Sequence, residues 1–439
     1  MATRLDSNDS GFEDAFVRLL ETKRGTEPDV DDAVRAILID VREKGDKAVI
    51  AYTREFDGFE LSSETMAVTG PEIEAAKEAV DPDALESLEL AAGRIADFHR
   101  RQAPEGMDYT DEAGLRLGLR WRPLAAVGLY VPGGTAAYPS TVLMNALPAK
   151  IAGVSRLAMV VPAPKGEINP LVLAAAAIVG IDEIYRIGGA QAVGALAFGT
   201  ETVAAVDKIV GPGNVYVAAA KRQVFGTVGI DMIAGPSEIL VLADGLTDPG
   251  WIAADLLSQA EHDTNAQAIL ITDDEDFADA VTEAVDGHLK TLPRAETAAQ
   301  SWRDFGAVIV VEDLASAATL VDRLAPEHLE IAAEDAAGLA GGIHNAGAIF
   351  LGRFAPEAIG DYMAGPNHVL PTARSARFSS GLGVLDFLKR TSLIGCDAAA
   401  LANIGPATIM LAEAEGFDAH ALSVAIRLNQ PRKNPSESN

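Results

Sequence analysis

From Leu124 onward, short apolar runs alternate with Ala-rich stretches whose apolar residues recur at helical spacing. The pattern predicts a strand at Leu124–Val131, a helix at Ser140–Ala152, a strand at Arg156–Val161, a helix at Pro170–Val179 and a strand at Glu183–Ile187. A helix at Gln191–Phe198, a strand at Lys208–Val210 and a helix at Val215–Phe225 follow. The rhythm then restarts. Strands at Ile239–Ala243, Ala268–Thr272, Ala307–Val311 and Ala348–Leu351 are spaced by helices at Pro249–Glu261, Phe277–His288 and Leu314–Leu324. Strictly alternating strands and helices imply parallel sheets covered on both faces. The chain before Leu124 reads as helical, over Pro28–Tyr52 and Pro71–His99, and strands are expected to stop beyond Asp386, leaving a helical tail with a frayed end, NQPRKNPSESN.

The fold class is therefore α/β, with two similar open-sheet Rossmann-like domains plus helical N- and C-terminal segments. The expected organisation is an N-terminal helical segment over 1–25 and a first α/β domain from 26–118 and 239–385. A second α/β domain over 119–238 is inserted in it, and 386–439 form the tail. In open sheets of this kind ligands bind outside the carboxyl ends of the strands, so residues just after strands are the first to inspect.

Composition narrows the function. Of 439 residues, 64 are acidic and 35 basic, a formal net charge of −29. So negative a surface repels nucleic-acid phosphate and anionic membranes alike. It also suggests a high-salt cytosol, where screening removes self-repulsion, against the blander reading of an ordinary acidic enzyme. Cys396 is the only cysteine, which excludes an intrachain disulfide and any multi-cysteine metal site. The N-terminus lacks the apolar core of a secretory signal, and the longest apolar run, Leu171–Ile181, is too short to cross a bilayer, which takes about 20 residues. A cytoplasmic protein is expected.

No GxGxxG, Walker A or GxSxG sequence is present; GPGNVY from Gly211 and GLGVLD from Gly381 both lack the last glycine. Three Gly/Pro turns do follow strands: Val131–Thr135, Ile187–Gln191 and Gly211–Asn214. Each can bring backbone N–H groups and a helix start toward phosphate, although such turns are commonly only turns. Four of the seven histidines stand in metal-like contexts. Gln259 and His262 share a helix face in SQAEHD, Glu327 and His328 adjoin in APEHLEI, Asp361 and His368 bracket YMAGPN, and His420 follows Glu413 and Glu415. Imidazole and carboxylate donors without thiolate suit zinc, manganese or cobalt, while a lone His at a helix end is more often a cap or a core residue.

The ordered blocks GLYVPGGTAAYPSTVLMNALPAKIAGV, IGGAQAVGALAFGT, VDKIVGPGNVYVAAAKRQVFG, IDMIAGPSEILVLAD, LLSQAEHD, APEHLEI, GDYMAGPNHVLPT and SSGLGVLDFLKRTS together resemble the histidinol dehydrogenase family, over about Thr53 to Arg427. The resemblance implies a zinc-containing, NAD-dependent enzyme that oxidises L-histidinol through L-histidinal to L-histidine, the last step of histidine biosynthesis. It implies one Zn²⁺ per subunit on Gln259, His262, Asp361 and His420, and NAD on Tyr130, Gln191 and Asn214. Substrate would meet Ser237, Gln259, His262, His328, Asp361, Glu415 and His420. Glu327 and His328 would be the catalytic pair, and the tail would complete the site of the partner in a homodimer with shared sites. It leaves His368 without a role. Outside the resemblance, a metal-dependent hydrolase using Glu327 or a two-lobed small-molecule binding protein are the alternatives.

Overall fold

Six parallel strands form the first sheet, in the spatial order Thr3–Asp6, Ala307–Val310, Gln267–Thr272, Glu238–Ala243, His328–Ala332 and Ala348–Leu351. The second sheet is also parallel, in the order Glu183–Tyr185, Arg156–Val160, Ala126–Tyr130, Lys208–Val210 and Gly229–Ile230. Counted along the chain from Glu238–Ala243 and from Ala126–Tyr130, five strands of each sheet follow one order, 3-2-1-4-5. The expected pair of similar open sheets is present. The computed structural model describes residues 2–22, 28–133, 138–233 and 235–429. Both sheets belong to one unit, Met1–Gln102 with Leu124–Phe387.

The central strands are buried at every position, and mostly apolar, because both of their faces are covered. Ile239, Val241 and Ala243 pack with Ile252 and Leu256 of the helix Pro249–Ala260, whereas Leu240 and Leu242 face Phe16 and Val321 on the other side. Val127 and Leu129 likewise pack on one side of the second sheet with Val142 and Leu143, and Tyr130 on the other with Val193 and Val217. At roughly 25 cal/mol per Å² of apolar surface, this two-sided burial is the main favourable term holding the layers together.

Several expectations need correction. The N-terminal segment, read as wholly helical, opens with the strand Thr3–Asp6, which pairs with Ala307–Val310 at the sheet edge. Pro28–Tyr52 is two helices, Pro28–Lys44 and Asp46–Asp57, broken at Gly45 with φ +55°. Pro71–His99 is also two, Gly70–Ala79 and Pro82–Arg100, because Asp81 caps the second and Pro82 cannot continue the first. Strands do not stop at Asp386. Leu388–Gly395 pairs antiparallel with Arg116–Pro123, which pairs with Met107–Thr110. This three-stranded sheet lies in a smaller unit, Ala103–Pro123 with Leu388–Asn439, alongside the helices Ala398–Ala414 and Asp418–Ala425. Its last strand, LKRTSLIG, is largely exposed and polar, so it carries no apolar run for a sequence pattern to detect. Part of the turn Val131–Thr135 and the end from Gln430 onward lie outside the described residues.

At the carboxyl ends of the second sheet the predicted turns come together. Gly189 N–H donates to the Tyr130 hydroxyl at 3.0 Å, and a Cβ at Gly211 would stand 2.1 Å from the Tyr130 carbonyl oxygen. The Gly211 turn is pinned from below: its carbonyl accepts from Lys221 Nζ at 2.9 Å, its N–H donates to Asp231 at 2.7 Å, and Lys221 and Asp231 form a buried ion pair. Gly211 also has φ +113°. We expect Gly211→Ala to destabilise the protein by about 2 kcal/mol or more, from backbone strain plus the clash. Urea unfolding of the two proteins checks this; equal midpoints would show that the turn relaxes freely.

Candidate active site

Glu327 and His328 do not follow a strand. They precede one. His328 opens the strand His328–Ala332, in register with Ile239 and Ala348, and Ser237 sits just before the neighbouring strand Glu238–Ala243. The candidate residues of the first sheet thus gather at its amino edge, away from the strand ends singled out by the sequence. The reason is geometric. The helix Pro249–Ala260 runs back after its strand and delivers Gln259, with His262 just past its end, to the amino edge, and the segment after Ala348–Leu351 returns Asp361, on the helix Glu357–Tyr362, and His368 there.

One residue orients both members of the pair. The backbone N–H of Glu238 donates to Glu327 Oε2 at 2.9 Å, and its carbonyl lies 2.9 Å from His328 Nδ1. The second contact fixes the tautomer: Nδ1 carries the proton and Nε2 presents its lone pair. Burial holds the His328 imidazole below its ordinary pKa, so it is neutral at pH 7. Glu327 is pushed well above the usual carboxyl range, first by burial and then by the charge of Glu238, with Asp361 and Glu357 adding to it. Burial thus disfavours the charged form of both groups.

Around this pair, three buried polar atoms have no hydrogen-bond partner: Gln259 Oε1, His328 Nε2 and Glu357 Oε1. Orphaned buried atoms are costly unless an occupant satisfies them. His262 Nδ1 lies 2.9 Å from the Ser258 carbonyl, which leaves its Nε2 free, as the second contact of a metal-binding histidine does. His328, Glu357 and Asp361 place one nitrogen or oxygen each within 4.8 Å of one another. The donors are all nitrogen and oxygen, and an amide oxygen, imidazole nitrogen and carboxylate are a set that a borderline divalent cation accepts. A cavity of about 270 Å³ opens beside them, lined by His328, Phe350, Asp361, Asn367, His368 and Leu370.

His368, left without a role by the sequence, has Nδ1 3.0 Å from the Asp361 carbonyl and Nε2 3.4 Å from Thr141 Oγ1. It therefore holds the Asp361 loop. Glu357 was missed altogether, and only its neighbours reveal it: one glutamate among 64 acidic residues carries no sequence signal. Glu415 and His420 are exposed and belong to the smaller unit, where His420 packs on Phe417 with ring centroids 5.2 Å apart. At the second sheet, Tyr130 is buried and its phenol pushed up to about 12, chiefly by burial. Gln191 is buried with Oε1 unpartnered, and Asn214 caps the helix Val215–Val224 by accepting from Tyr216 and Val217 N–H.

The histidinol dehydrogenase family model matches residues 20–428. The chain belongs to the histidinol dehydrogenase family. Histidinol dehydrogenase of Rhodospirillum rubrum is 63% identical over 431 residues, covering 98% of this chain and 99% of that protein. That of Rhizobium meliloti is 64% identical over 429 residues, with 98% and 99% covered. The crystal structure of histidinol dehydrogenase from Elizabethkingia anophelis superposes with a TM-score of 0.93 at 37% identity, covering 98% of both chains. Membership makes the chain an oxidoreductase with a place in histidine biosynthesis, and it sets aside the hydrolase and binding-protein alternatives. Among the described residues no helix is long and apolar enough to cross a membrane.

Proposed function

We propose that the chain carries out both oxidations of L-histidinol to L-histidine, with NAD as hydride acceptor and a divalent metal, zinc in the first instance, in the site. The observation that carries this reading is the convergence of unpaired Gln259 Oε1, His328 Nε2 and Glu357 Oε1 beside a buried, raised Glu327. In the first oxidation His328 Nε2 would take the hydroxyl proton, and in the second Glu327 would take a proton from the water whose oxygen bonds to the aldehyde carbon. NAD, when bound, would supply the hydride acceptor for each oxidation, one molecule per step. Gln259, His262 and Asp361, with His420 of a second copy, would hold the metal, which when bound grips and orients the substrate's imidazole and amine. Ser237 and Glu415 would add substrate contacts. Tyr130, Gln191 and Asn214, at the carboxyl edge of the second sheet, would receive NAD where the strand order reverses between Ala126–Tyr130 and Lys208–Val210.

The test is an absorbance assay for NADH with histidinol, with and without chelator; no NADH from fully metallated protein would remove the reading. A homodimer with shared sites is part of it. The smaller unit leaves Ile394, Met410, Leu411 and Phe417 each more than half exposed, which favours a partner surface. If His420 completes another copy's site, His420→Ala should lose metal on dialysis. Mixing it with His262→Ala should then restore activity, up to about one quarter of sites carrying both intact donor sets if chains pair at random. Full metal retention by His420→Ala would remove that residue from the donor set.

A further inference from the structure

Glu357 is the first residue of the helix Glu357–Tyr362 and is 2% exposed. It is gripped at two points. Its backbone N–H donates to buried Glu330, and Ser258 Oγ holds its Oε2 at 3.1 Å. Its other oxygen, Oε1, makes no hydrogen bond and stands 3.7 Å from His328 Nε2, which is equally unpartnered. The cavity lined by His328 and Asp361 lies on the histidine's side of this pair. Two unpartnered atoms held side by side, 3.7 Å apart, are the complement of a ligand with two adjacent donors. A 1,2-amino alcohol is such a ligand. In a staggered gauche rotamer its O–H and N–H point the same way and lie close enough to reach both acceptors together. The O–H must go to Nε2, the base that removes its proton, so the N–H falls to Glu357.

We propose that Glu357 is the residue that selects for the amine next to the reacting hydroxyl, receiving its N–H at Oε1 while His328 takes the hydroxyl proton. This rests on the reading of the site as an amino-alcohol dehydrogenase. It is tested on metallated protein by measuring dissociation constants for histidinol and for imidazolylpropanol, which keeps the ring and the hydroxyl and lacks the amine. Burial raises the Glu357 carboxyl to about 8, so Glu357→Ala should weaken histidinol binding by about threefold to tenfold, the range for a hydrogen bond between uncharged groups, and leave imidazolylpropanol within about twofold. Glu357→Gln, which keeps the shape and an acceptor oxygen, should fall between, with folding checked by circular dichroism and metal content by elemental analysis. Equal weakening of both ligands, no weakening of either, or loss of metal from Glu357→Gln would overturn the assignment. Failure of the dehydrogenase reading shows separately, as absence of NAD reduction by the unaltered enzyme, because binding needs no turnover.

Discussion

Replacing His328 by Ala should lower the rate of histidinol oxidation by roughly 10²–10⁴-fold, the range for removing a positioned general base. The Nδ1 side of the ring is committed to the Glu238 carbonyl at 2.9 Å, so Nε2 is the one ring atom left to accept a proton. Nothing else within the pair replaces it, since Glu327 is held by the Glu238 N–H and directed to the second step in our reading. In our reading His328 is the base and not a ligand, so the loss should fall mainly on kcat, with metal content unchanged. Metal loss on substitution would instead place His328 in the donor set, as its closeness to Glu357 and Asp361 permits. The pH profile gives a second check. A base must be deprotonated, and burial lowers this imidazole's pKa, so in the parent enzyme the acid limb of kcat/KM should lie below the ordinary histidine value of about 6.5. An acid limb above that value would contradict the buried, neutral imidazole.

Glu327→Gln should separate the two oxidations. With histidinal supplied directly, turnover should drop by about 10²-fold or more, while single-turnover oxidation of histidinol to the aldehyde should change far less. Gln cannot take a proton from water but keeps the length and the oxygen that accepts the Glu238 N–H. Equal losses in both steps would show that Glu327 serves the site as a whole. The same variant has a stability signature. Burial and the carboxyls of Glu238, Asp361 and Glu357 raise Glu327's pKa in the folded state. The folded state then binds its proton more tightly than the unfolded chain, so Glu327's contribution is full below the ordinary carboxyl range. It declines as pH rises from there through the raised folded-state value. Gln has no proton to lose, so metal-free Glu327→Gln should gain stability over the parent as pH rises from about 4 to 8. A constant difference between the two proteins across that range would contradict the raised pKa.

The central strands of both sheets were legible because two-sided burial makes them continuous apolar runs: Glu238–Ala243, expected over Ile239–Ala243, is buried throughout. The strand His328–Ala332 was not among the strands expected from the pattern. Its buried Glu330 and His328 break the apolar signal that marked its neighbours. The exposed ribbon Leu388–Gly395 has no apolar face to declare itself, and its partner, Arg116–Pro123, lies more than 260 residues away. For the site, Gln259, His262, Glu327, His328 and Asp361 were nameable because they sit in ordered motifs that resemble a family, and His420 because the resemblance runs on to about Arg427. Glu238 and Glu357 were not, since a backbone contact and a lone acidic residue leave no trace in a pattern.

Taken alone, the order of residues determined the layered α/β architecture, the exclusion of thiolate metal sites and, through its motifs, the family. Those properties are local or additive: periodicity, composition and short words read along one dimension. Only the folded chain decided that Glu327 and His328 sit at the amino edge of their sheet, that one Glu238 peptide sets both groups, and that Glu357 Oε1 lies 3.7 Å from His328 Nε2. Each of these depends on which strand lies beside which, and on side chains far apart in sequence being buried together without a partner.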